Sequence, residues 1–188
     1  MSEHIRQAGE RDAPAVAELL HRAYEPIRAL RLSWPAAKAS VEDVRTNIVR
    51  NECYVLERDG AVAATLTHSL GGEVRDATGL PFVKWFAVEP LLQGSGIGSR
   101  LMEWVERSVL LGKHRAPAVT LATAERHPWL VAMYRRRGYE TVLTYDPGNG
   151  DGQMHLMRKI LDIDLYRRYI LTNPDDIAAK YERTRPAP

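Results

Sequence analysis

Six consecutive residues, Gln93-Gly94-Ser95-Gly96-Ile97-Gly98, carry the clearest chemical signal in the chain. They join an apolar, β-rich stretch to one with helical apolar spacing. The first N–H groups of a helix have no internal partner, and the helix dipole adds partial positive charge there. Glycines let a ligand approach that backbone closely. No acid neutralises this helix start: Ser95 to Met102 contains none, Arg100 is basic, and Glu103 is the first carboxylate. Such a start suits a phosphate. Three phosphate motifs compete. A P-loop needs Gly-Lys-Ser/Thr, and no lysine follows Gly98. The dinucleotide fingerprint needs a glycine where Ser99 stands. The third pattern, Q/R-x-x-G-x-G/A, is met by Gln93, Gly96 and Gly98. The competing explanation is a tight turn whose glycines serve helix–strand packing.

Other chemistries find less support. The histidines are His4, His21, His68, His114, His127 and His155, and no two stand at the i, i+4 spacing of a helical metal site. No metal is expected. Cys53 is the single cysteine, so no internal disulfide can form and a cytoplasmic setting is expected. It opens an apolar strand pattern, where cysteine acts as a small hydrophobe. The run Arg135-Arg136-Arg137 could meet a phosphate, but it also complements a helix C-terminus.

The elements that must position these residues follow from periodicity. The chain has 188 residues, the size of one domain. Its net charge of +2 is too mild to argue for nucleic acid. No apolar run approaches a membrane span, and the start lacks a signal-peptide core. A short strand is expected at Ile5–Ala8. A helix over Asp12–Tyr24 has Asp12 as its cap and ends or kinks at Pro26. A second helix starts at Ser40, where Ser40 and Asp43 resemble a capping box. Cys53–Glu57 and Ala61–Thr67 form a hairpin about Asp59-Gly60. A polar loop runs from Gly71 to Gly79. Phe82–Val88 reads as a buried strand interrupted by Lys84. Ile97, Leu101, Val105 and Val109 mark an amphipathic helix. A strand at Ala118–Thr123, a helix at Pro128–Arg137 closed by Gly138, and strands at Tyr139–Tyr145 and Gln153–Arg158 complete a mixed sheet with helices on both faces. The tail from Leu161 carries Leu165, Tyr169 and Ile170 at helical spacing and needs burial. Another short helix begins at Asn173-Pro174-Asp175-Asp176, and Thr184–Pro188 is expected to fray.

From the strand Val83–Val88, through Val88-Glu89-Pro90-Leu91-Leu92-Gln93 and the glycine turn, to Tyr134 and Gly138-Tyr139, the chain resembles the GNAT family of N-acetyltransferases. The element order fits that family from Ile5 to about Arg158. The resemblance implies an α/β (α+β) fold with a mostly antiparallel central sheet. Residues 1–160 would form the acyltransferase domain and 161–188 a C-terminal helical extension. It implies acetyl-CoA, or a related acyl-CoA, as co-substrate and a small-molecule amine or peptide as acceptor. Pyrophosphate would sit on the amides of Gln93, Gly94, Ser95, Gly96, Ile97, Gly98 and Ser99. The pantetheine arm would pair with the strand edge at Ala87-Val88, and the Val88 N–H could polarise the thioester carbonyl. Tyr134 would be the general acid for the departing thiolate. The sequence departs from the family pattern where His127 replaces an asparagine and Leu130 a small residue; His127 could cap the helix at Pro128. Pro81 to Val88 also lacks the carboxylate base some members carry, leaving Lys84 as its only charge. Glu73, Asp76 and Glu125 lie in expected loops flanking the cleft as candidate bases, and each reads better as a solvated surface charge. Trp85 and Trp129 could line an acceptor cleft or sit in the core. An acyl-CoA-binding regulatory module on the same fold is the alternative to catalysis, and the tail could form a homodimer contact.

Overall fold

The computed structural model describes residues 2–177 and 180. Seven strands follow in the hydrogen-bonded order β1-β2-β3-β4-β5-β7-β6. They are β1 (Glu3–Gln7), β2 (Glu52–Arg58), β3 (Ala61–Ser69), β4 (Phe82–Val88), β5 (Ala118–Ala124), β6 (Glu140–Tyr145) and β7 (Met154–Ile160). All pairings with a described register are antiparallel except β4 with β5, which is parallel at Phe82↔Thr120. Among the described residues, no helix is long and apolar enough to cross a membrane. The chain divides into two compact units, Met1–Leu70 with Val83–Val105, and Gly71–Phe82 with Glu106–Pro188.

The first unit holds β1 to β3 and most of β4, with helices α1 (Ala13–Ala23), α2 (Glu25–Ala29), α3 (Val41–Arg50) and α5 (Ile97–Trp104). The β2–β3 hairpin turns at Asp59 (φ 51°) and Gly60 (φ 84°), the left-handed pair a two-residue turn requires. Ser40 and Asp43 form the expected capping box, with Asp43 N–H donating to Ser40 Oγ at 3.1 Å. Asp12 does not cap α1. Its carboxylate takes the Gly9 N–H at 2.8 Å and both Arg6 guanidinium nitrogens at 2.7 Å instead. Pro26 ends one helix and occupies the first turn of the next. Helices cover both faces of this part of the sheet. Cys53 and Tyr54 are consecutive in β2 and so face opposite ways. Thr67, opposite Cys53, accepts a hydrogen bond from Asn47 of α3, whereas Tyr54 packs edge-on against Trp104 of α5.

Ile97, Leu101, Val105 and Val109 are all buried. Their steps of four overshoot an α-helical turn. After Trp104 the helix loosens into a π-helical segment, Val105–Lys113, and that wider winding keeps the stripe inward.

The second unit contains β5, β6 and β7 with α4 (Glu73–Thr78), α6 (Leu130–Arg136) and α7 (Ile163–Thr172). Helix α4 stands where a loop was expected. Gly72 enters at φ 108°, two acids favour the first turn, and Gly79 at φ 62° closes it by donating to the Arg75 carbonyl. Helix α7 is capped by Asp162, which accepts from the N–H groups of Asp164 and Leu165. Its Tyr166 packs with Leu80 and Ala118, flanked by Ile160, Tyr169 and Ile170. The tail from Leu161 is therefore tied to this unit's core. The Asp176 carbonyl accepts from the Lys180 N–H, a helical-turn bond in the region where a short helix was expected from Asn173; Tyr181 and Thr184–Pro188 lie outside the described residues.

Tyr166 also satisfies a buried charge. Arg158 of β7 is 1% exposed, donates to the Tyr166 hydroxyl at 2.5 Å and to Glu140 at 2.8 Å, and lies over the Tyr166 ring. Tyr166→Phe should cost about 1–3 kcal/mol by leaving one guanidinium N–H short of an acceptor. Tyr166→Ala should cost roughly 3–5 kcal/mol through the added cavity. Denaturant midpoints at constant slope check both, and a Tyr166→Phe variant as stable as wild type would show that the hydroxyl contributes nothing.

Candidate active site

The glycine turn lies between β4 and α5. A short 3-10 turn, Pro90–Leu92, follows β4. The Leu92 carbonyl then accepts the Ser95 N–H at 3.3 Å and its hydroxyl at 2.6 Å. Gly94 (φ 81°) and Gly96 (φ 84°), the N-cap of α5, adopt left-handed geometry that side chains resist. Gly98 is required for a different reason. A Cβ there would lie 2.8 Å from Val88 Cγ2 and 3.0 Å from Phe86 Cζ. The first turn of α5 lacks an acid. Arg100 is engaged by Glu3 through two bonds of 2.8 and 2.9 Å. Gln93, Gly94, Ser95 and Ser99 are exposed, and Ile97 is buried. Turn geometry and packing thus account for all three glycines. The same geometry leaves an exposed, unneutralised helix start, which fits a pyrophosphate.

Strand β4 is irregular. Trp85 has φ 54°, rare for a bulky residue and costing on the order of 1–3 kcal/mol. Lys84 and Trp85 are both half-buried, and the Lys84 ammonium lies 5.7 Å from the Trp85 ring centroid. Ala87 is buried and Val88 half-buried. Tyr24 donates to the Phe86 carbonyl at 3.2 Å, and the Glu89 N–H donates to Ala63 at 2.8 Å.

Tyr134 belongs to the second unit, on α6. Its side chain is buried and packs edge-on against Tyr139, with centroids 5.7 Å apart. Its hydroxyl makes no hydrogen bond among the described residues. Burial raises its pKa, so the phenol stays protonated at neutral pH. Gly138 (φ 87°) closes the helix, and the Tyr139 N–H returns to the Tyr134 carbonyl at 3.1 Å.

The remaining candidates separate by environment. His127 does not cap α6: the helix starts at Leu130 with Trp129 at its N-cap. Instead the buried His127 ring meets Trp129 edge-on at 4.7 Å, and burial lowers its pKa. Trp129 is 48% exposed, so it is not core. Glu73 and Asp76 are exposed in α4, and Glu125 is exposed just after β5. Arg135 and Arg136 occupy the last turn of α6. The Cys53 thiol is buried and its pKa is raised by that burial, which disfavours a thiolate. His68 is also buried, with Nδ1 at 3.1 Å from the Glu52 carboxylate. The strain at Trp85 left no local signal in the sequence.

Residues 50–141 match the model of the acetyltransferase (GNAT) domain. The chain is 40% identical over 161 residues to S-(2-succino)cysteine N-acetyltransferase of Bacillus subtilis (strain 168), covering 85% of this chain and 98% of that one. It is 40% identical over 177 residues to S-alkylcysteine N-acetyltransferase of the same organism, covering 93% and 98%. Among solved structures, PaiA N-acetyltransferase from Thermoplasma acidophilum in complex with coenzyme A is similar at TM-score 0.68 and 16% identity, covering 85% of this chain and 99% of that one. The ribosomal-protein-S18-alanine N-acetyltransferase from Escherichia coli gives 0.65 and 20%, covering 86% and 96%. The chain belongs to the GNAT acetyltransferase family. It is an acyl-CoA-dependent N-acetyltransferase, and acetyl-CoA is its co-substrate.

Proposed function

We propose that this enzyme acetylates the α-amine of an S-substituted cysteine. The observation that carries this reading is 40% identity, across nearly the full length, to two enzymes named for such acceptors. In this reading residues 1–160 are the catalytic domain and 161–188 an extension of it. The setting is cytoplasmic, where acetyl-CoA is available. Thiol release should be at least ten-fold more efficient, by kcat/KM, with S-(2-succino)cysteine or an S-alkylcysteine than with alanine, an aminoglycoside or a peptide terminus. Equal efficiency across that panel would overturn the assignment.

The mechanism proposed is direct transfer. The neutral acceptor amine attacks the thioester carbonyl, a C–N bond forms and the C–S bond breaks; the nitrogen loses one proton to solvent, from which the tyrosine that protonates the thiolate is reprotonated. The Val88 N–H polarises the carbonyl oxygen, and Ala87 and Val88 offer the backbone edge for the pantetheine arm. The amides from Gln93 to Ser99 bind the pyrophosphate. Tyr134 donates its proton to the departing thiolate. Its protonated, internally unpartnered hydroxyl supports that role.

Two variants test these placements. Ser99→Glu puts a carboxylate in the first turn of α5 without disturbing a glycine. It should leave the melting temperature unchanged or higher, because an acid there complements the dipole. CoA affinity by calorimetry should fall at least ten-fold. An unchanged affinity would move the phosphates elsewhere. Tyr134→Phe should lower kcat by ~10²–10⁴-fold with little change in CoA affinity. An acid fails when pH rises through its pKa. Because burial raises this phenol above its ordinary value of 10.0, its alkaline limb should lie above that pH. A Phe variant within about two-fold of wild type would remove the tyrosine from the chemistry.

A further inference from the structure

Lys84 is a half-buried cation on the central strand. Among the described residues it has no hydrogen bond or ion pair; its one charge-related contact is the Trp85 ring at 5.7 Å. Consecutive side chains on a regular strand face opposite ways. The left-handed geometry at Trp85 breaks that alternation and accompanies this lysine–indole contact. Lys84 and the Cys53 thiol influence one another's titration, consistent with the lysine lying on the face of Cys53, Thr65 and Thr67. On that face Thr65 donates to the Tyr54 carbonyl and Thr67 accepts from Asn47, and the Asp12 carboxylate, which also acts on Cys53, is held by Arg6. A cation withdrawn from water without an anion costs stability, and burial lowers its pKa. Such a group is accounted for if an anion arrives with a ligand. Lys84 precedes Ala87-Val88 by three to four residues, about 10–13 Å along a strand. The lysine stem and a short amino acid can bridge that gap between them.

We propose that Lys84 binds the α-carboxylate of the acceptor and thereby selects amino acids over plain amines. The proposal rests on the acceptor class argued above and adds the residue that recognises it. The test compares an S-alkylcysteine with its decarboxylated counterpart, an S-alkylcysteamine, on wild type, Lys84→Met and Lys84→Arg. Lys84→Met should raise KM for the cysteine derivative at least ten-fold, with kcat within about three-fold. Its kinetics on the cysteamine should match wild type. Calorimetry of S-alkylcysteine binding to the CoA-loaded enzyme should show the same loss of affinity. Lys84→Arg should retain most of that affinity. The melting temperature of Lys84→Met should equal or exceed that of wild type, because an unpaired buried charge has been removed; a purely structural lysine would lower it. An unchanged KM for the cysteine derivative, or equal losses on both acceptors, would overturn the role of Lys84 alone. Wild-type enzyme that acetylates neither S-substituted cysteine would overturn the acceptor class and the carboxylate assignment together.

Discussion

The close approach of α5 to β4 at Gly98 constrains the first unit of the fold. A single methyl group there would collide with Val88 and Phe86. Without it the helix start lies directly against the end of the central strand. The chain between them must then turn within a few residues, which explains the 3-10 turn at Pro90–Leu92 and the left-handed glycines 94 and 96. Glu3 engages Arg100, so the positive potential at the helix start is that of the backbone N–H groups themselves.

This arrangement was legible in the sequence because its determinants are local. Glycine spacing, the missing acid and the change of period from strand to helix all lie within twenty residues. The capping box at Ser40 and the hairpin at Asp59-Gly60 were legible for the same reason. What escaped depends on partners distant in sequence. Asp12 looked like a cap, but Arg6 holds its carboxylate. His127 looked like another cap, yet its ring packs on Trp129. Helix α4 was hidden by flanking glycines that suggested a loop, although Gly72 and Gly79 serve as its ends. The left-handed Trp85 is least readable of all, since nothing in its neighbours demands that conformation.

The second unit solves a different problem. Two of its buried charges are satisfied by phenols. Glu106 is 5% exposed, accepts from the Tyr139 hydroxyl at 2.7 Å, and meets Lys159 at 2.5 Å. Arg158 uses the Tyr166 hydroxyl and ring face together. Each tyrosine fills core volume while supplying a polar tip. Tyr134 breaks this pattern. It packs on Tyr139 as a core residue would, yet its hydroxyl has no protein partner among the described residues. Its ring is core, but the hydroxyl is not among the fully buried unpaired atoms, so the oxygen keeps access to solvent or to a ligand.

The missing carboxylate on β4 fits an amino-acid acceptor. An α-amine is less basic than a lysine-type amine, which titrates at ~10.4. At neutral pH a larger fraction of the former is the free base. A strong general base is therefore less necessary for an α-amine. Lys84, the one charge on that strand, is proposed to hold the acceptor by its carboxylate alone, and in the mechanism proposed the remaining need is for an acid. The alkaline shift of the Tyr134 phenol keeps that group protonated throughout the pH range in which the amine becomes nucleophilic.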